Sequence, residues 1–285
     1  MAIVWVQVVE RARQVAAAYE TPVTLRQLFY RLAAREEVIP NQPWAYRRLS
    51  SKLAESRRGG FGPELVDTTR QVHEPPAWSG AGALVAELPR LFRLDRTRGQ
   101  AVALYVCAEK DTLRAQFADW LDELGVPVLV VRGFASEPYA QLVRRRTAAD
   151  RRPAVLLYVG DWDASGEDVE RDWVARTGCW AQVQRVVLTR DQVEEYALPP
   201  TAGKASDPRW PAWARRHGYD RQHPVQWEVE ALDAAELRRL VLAAVDRYID
   251  RQALADVVAE ETRQRAALTE FGATWPGAAP GDVTP

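Results

Sequence analysis

Cysteine is nearly absent from this chain: Cys107 and Cys179 are the two among 285 residues. No disulfide framework can rest on them, and Cys107, inside an apolar run, reads as a small core residue. His73, His217 and His223 are scattered, without the spacing of a zinc site. No apolar run approaches the roughly 18 residues that cross a bilayer. The opening Met1-Ala2-Ile3-Val4-Trp5-Val6 is too short, and lacks a basic start, for a secretory signal. The expected location is therefore cytoplasmic. Internal repeats are missing as well. Lysine occurs only at 52, 110 and 204, so arginine supplies nearly all the positive charge.

Hydrophobic content of 47% and charged content of 27% fit a soluble globular protein. The length suits one large domain or two small ones. A net charge of −1 hides an asymmetry. Residues 1–98 carry 15 Lys+Arg against 10 Asp+Glu, whereas the remainder carries 23 against 29. A basic first part beside an acidic second part suggests a nucleic-acid surface next to a metal site.

The most informative stretch is Leu156-Leu157-Tyr158-Val159-Gly160-Asp161-Trp162-Asp163-Ala164-Ser165-Gly166. The apolar run from Ala154 to Val159, opened by Pro153, predicts a buried strand. Two carboxylates spaced i, i+2 follow it, and then a helix pattern from Ser165 to Arg176. A second buried run, 101–107, ends in Ala108-Glu109-Lys110-Asp111, again before a helix pattern. Open α/β sheets bind ligands just past the carboxyl ends of their strands. Should the two strands be neighbours, Glu109, Asp161 and Asp163 converge on one rim. Crowded carboxylates repel unless a cation sits between them, and an all-oxygen set suits Mg²⁺. Strand-end acids also cap helices; acids at two strand ends, with a doublet at one, favour the cation.

The chain before this opens with a helix pattern over 3–19. Thr21-Pro22 breaks it, and Thr24 is a candidate N-cap for a helix to about Arg35. There Leu25, Leu28, Phe29 and Leu32 form the buried stripe. Tyr30 points away from that stripe, with Arg26 one turn back on the same outer side. A third helix, Trp44 to about Arg58, turns Leu49 and Leu53 inward and carries Arg47, Arg48, Lys52, Arg57 and Arg58 on its other faces. Residues 61–72 are expected to form a short β-ribbon. Three helices and a ribbon, the third helix basic, resemble a winged helix-turn-helix over residues 1–75.

Residues 76–98 read as a linker with one amphipathic turn around Leu84 to Phe92. From 99 to 271, strands at 101–107, 126–131, 154–159 and 183–188 alternate with helices at 112–124, 135–147 and 165–176. That order predicts an α/β fold with a mainly parallel sheet flanked by helices. Thr189 caps a short helix, 199–224 reads as an irregular surface loop, and helices follow over about 234–248 and 250–268. The tail, 272–285, reads as disordered.

Four stretches together resemble a known family. Glu109, then Gly160-Asp161-Trp162-Asp163 with Gly166, is similar to the TOPRIM domain of topoisomerases, primases and related nucleases. Thr24-Leu25-Arg26-Gln27-Leu28-Phe29-Tyr30 looks like the tyrosine motif of the topoisomerase VI A subunit and the meiotic double-strand-break protein. Leu188 to Pro199, and Glu228-Val229-Glu230-Ala231-Leu232, are similar to later segments of that family. The resemblance implies that Tyr30, helped by Arg26, attacks a DNA phosphodiester and stays linked to the 5′ phosphate. It further implies that Glu109, Asp161 and Asp163 hold Mg²⁺ (or Mn²⁺), and that the chain works as a homodimer on double-stranded DNA, near the nucleoid. In that arrangement the tyrosine of one subunit faces the metal of the other. A topoisomerase of this type also needs an ATPase B-type subunit. With no P-loop here, that partner would act in trans.

The chemistry is consistent. A phenol with pKa about 10 needs activation. Arg26 could lower that pKa or bind phosphate oxygens, and Glu109 could serve as general acid or base. The basic helix would meet DNA phosphates, which position without reading sequence. Two other readings remain: a metal-dependent nuclease that uses water, and a non-catalytic DNA-binding module.

Overall fold

The computed structural model describes residues 3–19, 23–34, 36, 38–67, 74–204 and 206–276. Two apolar runs become the two central strands of a four-stranded parallel sheet: β1 (Ala103–Ala108) and β3 (Ala154–Val159). β2 (Val128–Val130) and β4 (Gln182–Val187) complete the order β2-β1-β3-β4. β1 and β3 are paired along their whole length, from Ala103 opposite Ala154 to Ala108 opposite Val159.

Side chains alternate between the two faces. Leu104, Val106, Val155 and Leu157 pack with Phe117 and Leu121 of α5 (Arg114–Asp122) and Leu237 and Val241 of α10 (Ala234–Asp246). Tyr105, Cys107, Leu156 and Tyr158 pack with Val143 of α6 (Glu137–Ala149) and Trp173 of α7 (Ala164–Thr177). Both faces are thus covered, as parallel sheets require. The chain leaves β1 for β2 and then returns across β1 to β3. The connections therefore diverge at the carboxyl ends of β1 and β3, where a crevice opens.

Ahead of the sheet, α1 (Trp5–Ala17), α2 (Leu25–Ala34) and α3 (Pro43–Arg58) share their own core of Val8, Ala12, Leu28, Leu32, Leu49 and Leu53. Burying each leucine contributes roughly 2 kcal/mol. Of the stripe expected on α2, Leu28, Phe29 and Leu32 are buried and Leu25 is half-buried.

Several expectations are corrected. Residues 61–67 form no ribbon: Leu65 makes a single parallel bridge with Val23. Gly62 folds back against Arg57, where a Cβ would lie 2.2 Å from the Arg57 side chain, and Pro63 has no N–H to donate. Residues 68–72 lie outside the described residues. Within 76–98, residues Ala81–Leu91 are a full helix, α4, laid along α11 (Arg251–Thr274). α11 runs past the expected end at 268 and into the expected tail, of which 277–285 lie outside the described residues. α8 (Arg190–Glu195) is closed by a capping box of Thr189 and Gln192. Beyond it, the expected loop 199–224 contains α9 (Trp210–His217), with Trp210 and Trp213 buried. It is flanked by β5 (Thr201–Ala202) and β6 (Val225–Gln226), paired antiparallel. Among the described residues, no helix is long and apolar enough to cross a membrane.

Candidate active site

The site begins where β1 and β3 end. The last rungs of the ladder place Glu109 beside Gly160: the Glu109 amide donates to the Val159 carbonyl at 2.9 Å. The Glu109 carboxylate then reaches across and accepts the Asp161 amide at 3.1 Å. Two glycines flanking Asp161 are closely packed. A Cβ on Gly160 would lie 2.6 Å from Glu109 Oε2 and 2.6 Å from the Tyr158 ring, and one on Gly166 would lie 2.6 Å from the Asp161 carbonyl oxygen. Asp163 caps α7, accepting the Gly166 amide at 2.6 Å. Its helix-capping role and its place on the rim coexist.

A tryptophan bridge adds a second layer of acids. Trp162 and Trp227 exchange backbone hydrogen bonds of 2.9 and 3.2 Å. Trp162 is buried among Trp213, His217 and Trp227, and this aromatic cluster pins α9 to the rim. The bridge draws Glu228 and Glu230 over the ends of the strands, and the Val229 amide donates to Asp161 Oδ1 at 2.9 Å. Lys110, the residue after Glu109, lies at the centre. Its ammonium group is 2.7 Å from Asp161 and 2.9 Å from Glu230, and also pairs with Glu228.

α2 supplies the remaining side. The Arg26 guanidinium donates to the Tyr30 hydroxyl at 3.2 Å, and that hydroxyl donates to Glu228 Oε1 at 3.3 Å. The helix is docked by Gln27, which donates to the Thr112 carbonyl at 3.1 Å and to Gln116 at 3.2 Å. Tyr30 is half-buried, with Lys110 5.6 Å from its ring centre. Arg26, Tyr30, Glu109, Lys110, Asp161, Asp163 and Glu228 all line one cavity of about 300 Å³. The five residues inferred from sequence for this centre are therefore brought together. Arg47, Arg48, Arg57 and Arg58 are exposed along α3, away from this cavity, and Lys52 is half-buried beside Glu55 at 2.8 Å.

Electrostatics follow from burial and crowding. Burial pushes the Glu109 carboxyl up, with Lys110 opposing and Asp163 adding to it. Asp163 is raised by burial, against the Gly166 amide, with Glu228 contributing. Burial works against the Lys110 charge, yet Asp161, Glu230 and Glu228 outweigh it and keep the ammonium protonated. Burial raises Glu228 too, but Lys110, Arg26 and the Tyr30 hydroxyl hold it below its ordinary value. The Tyr30 phenol is raised, first by burial and then by Glu228, against Arg26 and Lys110.

The donor set suits a hard cation in kind. Glu109 and Asp163 have no ion-pair partner among the described residues, and both are oxygen ligands in a crowded negative site. The third acid, Asp161, is already engaged by Lys110. Among the described residues no group of three or more His, Cys, Asp or Glu is spaced to hold a metal ion. A divalent ion bound by Glu109, Asp161 and Asp163 therefore shares Asp161 with an ammonium group.

Sequence reasoning did not assign Lys110, Glu228 or Glu230 to the site. One signal was available: Lys110 is one of three lysines in a chain that otherwise uses arginine. No protein-family model matches the chain, and no curated protein matches it.

Proposed function

We propose that this chain breaks DNA by transesterification, with Tyr30 as nucleophile. The carrying observation is that the Tyr30 hydroxyl and three rim carboxylates line a single cavity, with Arg26 bonded to the phenol. In this reading the Tyr30 oxygen forms a bond to phosphorus and the bond from phosphorus to the 3′ oxygen breaks. The products are a 5′-phosphotyrosyl link and a free 3′ hydroxyl. The phenol proton passes to the carboxylate it already contacts, Glu228. Arg26 binds the developing charge on the phenol or the phosphate. With Glu109 engaged by the metal, the leaving 3′ oxygen takes its proton from solvent. Mg²⁺ or Mn²⁺ held by Glu109, Asp161 and Asp163 would supply charge neutralisation at the phosphate.

The exposed arginines of α3 face solvent as a basic helix should if it meets duplex phosphates. The reading carries with it the features of the family that the sequence resembles: a winged-helix-like first part, a TOPRIM-like sheet, a homodimer and an ATPase subunit in trans.

The test is incubation with supercoiled plasmid and Mg²⁺ or Mn²⁺, followed by detergent and protease. Wild type should yield covalent protein–DNA complexes and broken plasmid. Tyr30→Phe should yield neither while still binding DNA. Breaks that survive in Tyr30→Phe and vanish in Asp161→Ala point instead to a nuclease that uses water. Binding without breaks under any metal leaves a non-catalytic DNA-binding module.

A further inference from the structure

At the end of the sheet opposite the acidic rim lies a second, larger cavity of about 580 Å³. We infer that it binds a phosphate-bearing ligand of nucleotide size, held by Arg98, Arg146 and Arg151. β1, six residues long, spans about 20 Å at roughly 3.3 Å per residue and separates this cavity from the rim. The site therefore stands whether or not Tyr30 is a nucleophile, and its distance from the rim favours a free nucleotide over a strand bound there.

Three segments meet at the cavity. The turn 97–99 leads towards β1, the end of α6 contributes Arg146 and Ala149, and residues 150–152 lead into β3. The Ala103 amide donates to the Pro153 carbonyl at 2.9 Å, which ties the starts of the two strands together. Arg152 fastens the turn: its guanidinium donates to Asp150 at 2.9 and 2.6 Å and to the Thr97 hydroxyl at 3.1 Å, and it also bonds to the Thr97 carbonyl. Buried Tyr105 forms part of the floor. Burial raises its phenol, and the Arg146 guanidinium beside it opposes this.

Charge at this end runs against that of the chain around it. Residues 99–285 carry 23 Lys+Arg against 29 Asp+Glu, yet four arginines and only two aspartates line the cavity. Both aspartates are engaged: Asp150 by Arg152, and Asp95 by the Thr97 amide at 2.9 Å and the Thr97 hydroxyl at 2.7 Å. Glu260, whose carboxyl Arg98 helps to lower, pairs with Arg263. Arg98, Arg146 and Arg151 form no salt bridge among the described residues. Crowded like charges repel unless a counter-charge sits between them, and the guanidinium fork matches phosphate oxygens in pairs. A phosphate monoester carries about −1.5 to −2 at neutral pH, close to the surplus of two positive charges in the lining. The volume lies within the roughly 300–1,000 Å³ of small-molecule sites. Bare phosphate would leave most of it empty, whereas a nucleoside on that phosphate would fill it and meet the apolar wall of Pro127 and Ala149.

The test is isothermal titration of the full-length chain in EDTA, so that no metal at the rim can hold a phosphate. ADP probes for a free nucleotide, a short single-stranded oligonucleotide probes for a strand phosphate, and adenosine is the control without phosphate. Wild type should bind ADP at one site per chain and adenosine far more weakly. Arg98→Ala, Arg146→Ala and Arg151→Ala should each weaken ADP binding about tenfold, the loss of one charge-assisted pair. Arg47→Ala and Arg48→Ala on α3 should leave it unchanged. Where an alanine variant melts below wild type, the lysine variant at the same position replaces it; it keeps the charge but not the fork, and should also weaken binding. A loss confined to the oligonucleotide upholds the phosphate site and assigns it to a strand. Adenosine binding as tightly as ADP, unchanged affinity in all three variants, or no binding of either phosphate probe overturns the inference. Covalent trapping at Tyr30 is read separately, so neither result decides the other.

Discussion

Lys110 holds its ammonium group 2.7 Å from Asp161, immediately after Glu109 in the sequence, so a tethered cation occupies the middle of the acidic rim. It balances three buried carboxylates, Asp161, Glu228 and Glu230, at once. Removing one partner of a buried ionic network leaves uncompensated charge, at about 3 kcal/mol or more. Lys110→Met should therefore lower stability by about 3 kcal/mol, read from urea denaturation midpoints at constant slope. A change within experimental error would show that the ammonium contributes nothing to the fold.

Divalent ions should stabilise the chain through Glu109 and Asp163, the two rim carboxylates without an ion-pair partner among the described residues. Saturating Mg²⁺ or Mn²⁺ at 100 times its dissociation constant adds about 2.7 kcal/mol. Thermal melts should shift upward in wild type, and the shift should shrink in Glu109→Gln and Asp163→Asn. An equal shift in all three proteins places the ion elsewhere.

Gly160 and Gly166 are expected to tolerate no side chain. At each, a Cβ would come within 2.6 Å of an atom of the site, Glu109 Oε2 or the Asp161 carbonyl oxygen. Gly160→Ala and Gly166→Ala should each cost about 1–3 kcal/mol through overpacking and should abolish plasmid breakage. Wild-type breakage by either variant would mean that the Glu109 placement is not needed for the chemistry.

Away from the site, Glu261 joins α11 to the start of the α/β part. It accepts the Leu94 amide and an Arg96 guanidinium N–H, each at 3.0 Å, and is 1% exposed. Its carboxyl is held below the ordinary value, first by the Arg96 hydrogen bond, against burial. A depressed carboxyl contributes stability that is present above its unfolded pKa, roughly 4.3, and is lost as pH falls through the folded value. Stability measured from pH 7 downward should fall below about pH 4. Glu261→Gln should flatten that decline, because glutamine does not titrate. An unchanged acid limb would assign the decline to other carboxylates.

How much of this was legible in sequence follows from the range of the interactions involved. The strand 154–159 and the helix after it were legible because an apolar run ending in a capping acid is a local pattern. Glu109, Asp161 and Asp163 could be grouped because each follows such a run. The direction of Tyr30 followed from helical periodicity alone. α9 was hidden: Trp210-Pro211-Ala212-Trp213 followed by arginines reads as surface loop, yet both tryptophans are buried. Their burial depends on Trp162, Tyr219 and Trp227, contacts that no short window contains. The same non-local cluster places Glu228 and Glu230, so their part in the site was visible only once Trp162 and Trp227 were seen paired.

The most direct measurement of the central claim is mass spectrometry of the DNA-linked peptide after trapping with detergent. Trypsin cuts after Arg26 and Arg31, releasing Gln27-Leu28-Phe29-Tyr30-Arg31. The account predicts this peptide carrying a nucleotide 5′ phosphate on Tyr30, and its absence when DNA or divalent ion is withheld. Broken DNA whose 5′ ends carry a free phosphate and no peptide would contradict it.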